Sequence, residues 1–142
     1  MKLVDTNVLV YAAFAGSRHH SDARGWLDAA LTRGEPVGFA WFALVGFVRL
    51  ATNPRVADPA LTRAGALEFV DAWLGAPSAH VLEAGSRHAD FLREMLAATS
   101  ASPDLVNDAH LAAIAREHKA TVITFDSDFR HFPGVRWEQP RR

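Results

Sequence analysis

Apolar and polar positions along this chain fall into blocks whose lengths alternate between those of short strands and those of helices. Lys2-Leu3-Val4 is a short strand-like segment ending on Asp5, and Asn7 to Phe14 is apolar enough for a buried helix capped by Asp5 or Thr6. His20 to Leu31 carries Ala23, Trp26, Leu27, Ala30 and Leu31 at helical spacing and is closed by Gly34. Val37 to Ala40 predicts a second strand. Trp41 to Ala51 has the length of a helix but is apolar nearly all round, which predicts burial on every side, and Asn53-Pro54 stops it. Thr62 to Leu74 predicts an amphipathic helix with Leu67, Val70, Trp73 and Leu74 on one face, broken by Pro77. His80-Val81-Leu82 is a third strand, and Ser86 to Ala98 a helix with Phe91, Leu92, Met95 and Leu96 turned inward. Ser102-Pro103 starts a helix that runs to His118, with the proline in the first helical position. Thr121 to Thr124 and Val135 to Trp137 complete the set as fourth and fifth strands.

Strands alternating with helices throughout predict an α/β fold, a parallel sheet with helices on both faces. No repeat, low-complexity stretch or linker interrupts the pattern, so one domain over residues 1–142 is expected. Apolar residues make up 49% of the chain, enough for a packed core. The longest apolar run, Trp41 to Val48, is interrupted by Gly46 and followed by Arg49, far short of the ~20 residues that span a bilayer. Met1 leads directly into a strand-like segment with no signal-peptide pattern, so a cytoplasmic protein with no membrane partner is expected. The absence of cysteine excludes disulfides and thiolate metal sites. A formal charge of −1 gives no overall basic field, but the basic residues are nearly all arginine, whose planar fork suits phosphate.

The chemistry is concentrated in aspartates. Asp5 directly follows the first strand. Asp126 follows Val122-Ile123-Thr124-Phe125, with Asp128 two residues on. Open α/β sheets bind ligands outside the carboxyl ends of their strands, where both positions lie, although an aspartate after a strand is also an ordinary cap or turn residue. Asp108 weighs more. It shares a helical face with Leu111, Ala112 and Ala115, and so heads an otherwise apolar stripe. A buried carboxylate without a partner costs several kcal/mol, which calls for a cation. Asp104, one turn earlier, is assigned to capping. Carboxylates converging on one spot repel unless a hard divalent ion such as Mg²⁺ or Mn²⁺ stands between them, and the matching chemistry is phosphodiester hydrolysis.

Three segments together carry a family resemblance. Val4-Asp5-Thr6-Asn7-Val8-Leu9-Val10-Tyr11-Ala12 resembles the opening motif of PIN-domain nucleases. Leu105 to Ala115, containing Asn107-Asp108-Ala109-His110, resembles their third acidic motif. Thr124-Phe125-Asp126-Ser127-Asp128-Phe129, followed by Phe132-Pro133-Gly134-Val135-Arg136-Trp137, resembles their closing motif. Phe47 to Val56 looks like a branch of the VapC toxins of bacterial toxin–antitoxin pairs. The resemblance implies a three-layer α/β/α domain around a central parallel sheet of about five short strands. It implies a Mg²⁺- or Mn²⁺-dependent endoribonuclease acting on structured RNA such as tRNA or rRNA, blocked by a VapB-like antitoxin and usually a homodimer. By motif position, Asp5, Asp108 and Asp126 match the family's metal-binding acids, Asp128 a supporting acid of the catalytic set, and Asn7 and Thr124 polar residues that order the site.

One position departs from the pattern. The family has a glutamate three residues before the arginine of its second motif, and here Gly46 stands there, before Arg49. Glycine inside a helix costs about 1 kcal/mol relative to alanine. Close packing of another backbone, loss of one ligand, and an attenuating change each account for it. A catalytically weakened PIN-like module that only binds RNA or its antitoxin is therefore the alternative. A phosphatase of the haloacid-dehalogenase type is a remoter rival, because it needs a second aspartate at position 7, where Asn7 stands.

The remaining candidates have plainer readings. His19 and His20 are adjacent, and His110 and His118 lie two turns apart, so neither pair has the i, i+4 spacing of a helical zinc motif. His19 and His20 fall near enough to the acids for contact with substrate to be a reading. Arg49 pairs with a site carboxylate or meets phosphate; Arg55 and Arg130 are assigned to the solvated surface. Trp26, Trp41, Trp73 and Phe91 are assigned to core or dimer packing.

Overall fold

The computed structural model describes residues 1–99 and 102–141. Five short parallel strands form one sheet: β1 (Lys2–Val4), β2 (Val37–Phe39), β3 (Ala79–Val81), β4 (Thr121–Ile123) and β5 (Arg136–Glu138). Their order across the sheet is β3-β2-β1-β4-β5, so the direction of winding reverses between β1 and β4. Six α-helices connect them: α1 (Thr6–Ala13), α2 (His20–Arg33), α3 (Trp41–Ala51), α4 (Arg63–Leu74), α5 (His88–Ala97) and α6 (Leu105–Glu117). A 3-10 turn covers Ser127–His131.

Side chains alternate across the pleat, and the two faces carry separate halves of the core. Val4, Val37, Phe39 and Ile123 pack against α1 to α4. Leu3, Val122 and Leu82 pack with Met95 of α5 and the apolar stripe of α6. The expected three layers are present. Phe47 of α3 centres the first half, with its ring 4.9 Å from Trp73 and 6.1 Å from Phe69. Local signals set several ends. Gly34 closes α2 in the left-handed region at φ 78°, which glycine enters without steric cost. The Thr62 hydroxyl caps α4 by accepting from the Gly65 N–H at 3.0 Å.

The structure corrects three expectations. α3 is not buried all round. Ala43, Leu44, Phe47 and Ala51 face the core, while Trp41, Phe42 and Val45 remain 48%, 40% and 60% exposed. Only Ala40 separates the end of β2 from this helix, which starts at the rim of the sheet, so only one of its faces meets the rest of its layer. Leu67 and Leu96 point outward as well; the buried face of α4 runs through Ala66, Val70 and Trp73. Finally, α6 starts at Leu105, because Ser102-Pro103-Asp104 forms a turn ahead of it, with the Leu105 N–H bonded to the Ser102 carbonyl at 3.0 Å. Asp104 occupies the cap position, but its side chain makes no capping bond. No helix among the described residues is long and apolar enough to cross a membrane.

Candidate functional site

The reversal between β1 and β4 opens a crevice at the carboxyl ends of these two strands. Asp5 leaves β1 there as the cap of α1, and its backbone N–H bonds to the Ile123 carbonyl of β4 at 3.0 Å. Adjacent parallel strands therefore deliver Asp5 and the segment Thr124 to Asp126 to one point.

A hydrogen-bond network locks them together. Asp5 Oδ1 accepts from the Thr6 N–H at 2.7 Å. Asp5 Oδ2 accepts from the Thr124 hydroxyl at 2.7 Å and from Asn7 Nδ2 at 2.9 Å. The Thr124 hydroxyl, fully buried, also accepts from the Asp126 N–H at 2.9 Å and from Asn7 Nδ2 at 3.0 Å. Asn7 Oδ1 accepts from the Phe125 N–H at 3.2 Å. Asp126 in turn caps the 3-10 turn, with Oδ1 accepting from the Asp128 N–H at 2.8 Å. The buried ring of Phe129, packed on Phe132, fixes that turn to the core.

Asp108 stands apart from this network. It lies on the first turn of α6, half-buried, and its carboxylate makes no hydrogen bond among the described residues. It is coupled to the other acids through charge. Burial, then the carboxylates of Asp5, Asp126 and Asp128, push its pKa up to about 7. Burial also raises Asp5, with Asp126 adding to the rise, although the bonds from Thr124, Thr6 and Asn7 pull the other way. Asp5 is 8% exposed. The four acids that motif and spacing single out thus occupy one electrostatic neighbourhood.

An open cleft of about 810 Å³ lies between two of them, Asp5 and Asp108, and α3. Asp5, Thr6, Asn107 and Asp108 line one side, and Trp41, Phe42, Val45, Gly46, Arg49 and Leu50 the other. Arg49 is exposed on this wall and pairs with no carboxylate among the described residues. Gly46 faces the start of α1. A Cβ built on it would lie 3.1 Å from Thr6 Oγ1 and 3.3 Å from Thr6 Cγ2, and that hydroxyl donates to the Ala43 carbonyl at 3.2 Å. Close packing of α1 on α3 is thus one physical reason for a glycine inside this helix.

The donor set is all carboxylate oxygen, which suits a hard divalent cation. Among the described residues, no group of three or more His, Asp or Glu side chains is drawn together tightly enough to grip an ion as it stands. Mg²⁺ takes one or two carboxylates directly and keeps several waters, so this looser arrangement fits it.

Other candidates fall elsewhere. Arg55 and Arg130 are exposed. His118 Nε2 bonds to the Glu83 carbonyl at 2.7 Å, and His20 Nδ1 to the Tyr11 carbonyl at 2.9 Å. Trp73 is buried in the core, whereas Trp41 stands on the cleft wall. Sequence reasoning missed the pairing of His110 Nδ1 with His88 Nε2 at 2.8 Å, which joins α6 to α5; burial, and then the His88 charge, lower the His110 pKa. It also missed the apolar cleft wall. The signal was present in the all-round apolar character of α3, which marks an exposed functional face as readily as a buried helix.

A family model described as PIN domain matches residues 2–135. Over 140 residues the chain is 50% identical to Ribonuclease VapC37 of Mycobacterium tuberculosis, covering 99% of this chain and 97% of that protein. Among solved structures, the fold superposes with a TM-score of 0.71 on a crystal structure of VapBC2 from Rickettsia felis bound to a DNA fragment from its promoter. That match is 15% identical and covers 98% of each chain. A second superposition, with a TM-score of 0.67 and 19% identity, is to Mycobacterium tuberculosis VapC20, described as a sarcin–ricin loop cleaving toxin, and covers 96% of this chain and 99% of that one.

Proposed function

This chain belongs to the PIN-domain family, in its VapC ribonuclease branch, and on that premise we propose that it is a divalent-metal-dependent endoribonuclease toxin that cuts structured RNA and is silenced by a VapB-like antitoxin. The observation that carries the reading is Asp108. A half-buried carboxylate with no hydrogen-bond partner among the described residues is held in the field of three others, a state that costs stability without a cation and gains it with one.

Asp5, Asp108 and Asp126 would hold Mg²⁺ or Mn²⁺, with Asp128 in support. When bound, the ion supplies a water of lowered pKa and offsets charge on the phosphate. The chain's own residues do the rest. Thr124 and Asn7 fix the Asp5 carboxylate in one orientation, so no side-chain freedom is lost when substrate arrives. The Asp126 cap sets the direction of Asp128. Arg49, which lines the cleft and pairs with no carboxylate among the described residues, would meet an RNA phosphate. The exposed Trp41, Phe42 and Val45 beside the acids form a surface for an antitoxin segment to cover, which would close the cleft to RNA.

The test is cleavage of short structured RNAs by the purified chain with Mg²⁺ or Mn²⁺ and with chelator. Activity that needs the metal and falls at least ~100-fold in Asp5→Asn is expected. Metal-independent cleavage, or full activity in Asp5→Asn, would sink the proposal. Gly46 favours the second reading, a weakened module that binds RNA or antitoxin without cutting. Retained RNA binding with no cleavage at any metal concentration would establish that reading instead.

A further inference from the structure

Three aromatic rings gather one helical turn from the acid network. Asn7 and Tyr11 are four residues apart and share a face of α1, which puts their Cβ atoms about 5–6 Å apart. Asn7 bonds to Asp5 and to the Phe125 backbone, and Tyr11 meets the Phe125 ring edge-on at 5.4 Å. Phe125 is therefore tied to the carboxylates through its backbone and to α1 through its ring. His19 lies flat on Phe125, with centroids 4.3 Å apart and planes inclined by 16°, and meets Tyr11 edge-on at 5.1 Å. The Ser17 hydroxyl and His20 Nδ1 both bond to the Tyr11 carbonyl, at 3.2 and 2.9 Å, which pins the segment carrying His19 on α1.

We propose that His19, stacked on Phe125 and braced by Tyr11, is a platform for an unpaired nucleobase next to the scissile phosphate. The inference rests on the ribonuclease reading and adds a specificity element to it. One face of the imidazole is stacked on Phe125 and Tyr11 meets the ring edge-on, yet His19 stays partly exposed, and the face away from Phe125 is the one a base would take. An RNA base laid there continues the stack. Unpaired bases in RNA loops are commonly bound on Phe, Tyr and His rings, and one helical turn from Asn7 is a reach within a single nucleotide. Preformed stacking holds the ring in place before substrate arrives, so little ordering is left to do on binding. His19 occupies the cap position of α2 but makes no side-chain cap bond, so replacing it removes no helix-end contact.

The test is a cycle on the best-cleaved structured RNA. His19→Ala should raise KM about tenfold to a hundredfold with kcat within about twofold, and His19→Phe, which keeps a stacking ring, should stay near the unsubstituted chain. An abasic nucleotide beside the cut should impose a similar penalty on the unsubstituted chain and little further penalty on His19→Ala. A His19→Ala enzyme within about twofold of the unsubstituted one, or abasic penalties equal in both, overturns the platform while leaving the ribonuclease reading intact. If the chain cleaves no RNA, the ribonuclease reading fails, and fluorescence of 2-aminopurine in the loop of the same RNA decides the platform. Quenching lost in His19→Ala and kept in His19→Phe supports it; equal quenching in both, or none with the unsubstituted chain, overturns it.

Discussion

Asp108→Asn should make the metal-free protein more stable at neutral pH, with a gain that shrinks as pH falls and vanishes below about 3.8. Burial and three neighbouring carboxylates raise the Asp108 pKa from 3.8 to about 7. Between these values the folded chain holds a proton that the unfolded chain releases. Stability is therefore fully present below the unfolded value and is lost as pH climbs toward 7. A shift of this size corresponds at most to about 4 kcal/mol. The carboxylate is only half-buried and opens onto a wet cleft, so solvent screening reduces the effect to on the order of 1–2 kcal/mol. For a chain of this length that is about 3–7 °C in melting temperature. The asparagine side chain is neutral at every pH, so the variant should match the parent only below the unfolded value of 3.8, exceed it by roughly a third of this margin at pH 5, and by nearly the full margin at pH 7.5. The raised pKa of Asp5 acts in the same direction in both proteins.

Melting curves in chelator from pH 5 to 8 read this directly. A divalent ion should reverse the order, because an ion at 100 times its Kd stabilises the unsubstituted protein by about 2.7 kcal/mol and should stabilise Asp108→Asn far less. RNA cleavage by the variant should fall at least ~100-fold in spite of its greater stability. Parallel melting curves across the pH range would refute the charge crowding on which the site assignment depends. An equal Mn²⁺ shift in both proteins would remove Asp108 from the metal-binding set.

Thr124→Val should cost about 1–3 kcal/mol and lower cleavage at least tenfold, because the buried hydroxyl donates to Asp5 and accepts from Asp126 and Asn7; denaturant melts and cleavage rates check this, and Thr124→Ser should restore both. Phe47→Ala should cost about 3–5 kcal/mol in a urea melt, from loss of the contacts with Trp73 and Phe69, while the metal dependence of the folded fraction stays the same.

The layers and the acid cluster were legible for different reasons. Each strand is a short apolar run bounded by polar or turn residues, and most helices carry a periodic apolar face or a helix-length apolar run, so element order and a parallel sheet follow from spacing alone. Asp108 could be found because a charge on an apolar stripe contradicts the burial of its neighbours. Asp5 and Asp126 could be placed at strand ends, but their adjacency depends on β1 lying beside β4, a pairing across more than a hundred residues that no local pattern encodes. The same limit hid the His88–His110 bond and the stacking of His19 on Phe125. The exposed side of α3 was misread because periodicity reports which positions avoid water, and Trp41, Phe42 and Val45 are apolar without being covered within this chain.

Gly46 is where packing and chemistry compete most directly. The position lines the cleft with Asp5 and Asp108, yet a Cβ there would crowd Thr6 Oγ1 at 3.1 Å. Gly46→Glu should therefore combine three effects. Replacing a helical glycine gains about 1 kcal/mol. Shifting Thr6 by a few tenths of an ångström weakens its bond to the Ala43 carbonyl. A further carboxylate in the cleft adds repulsion that grows with pH and that a divalent ion relieves. The variant should melt lower than the parent in chelator at pH 7.5 and show a larger Mn²⁺-induced rise, with faster cleavage at limiting metal. Adding Thr6→Ala removes the crowding and isolates the charge effect, so the double variant should keep the larger Mn²⁺ response and recover part of the lost stability. If the Mn²⁺ response and the cleavage rate of both variants equal those of the parent, position 46 lies outside the metal's field, and close packing of α1 on α3 is sufficient reason for the glycine.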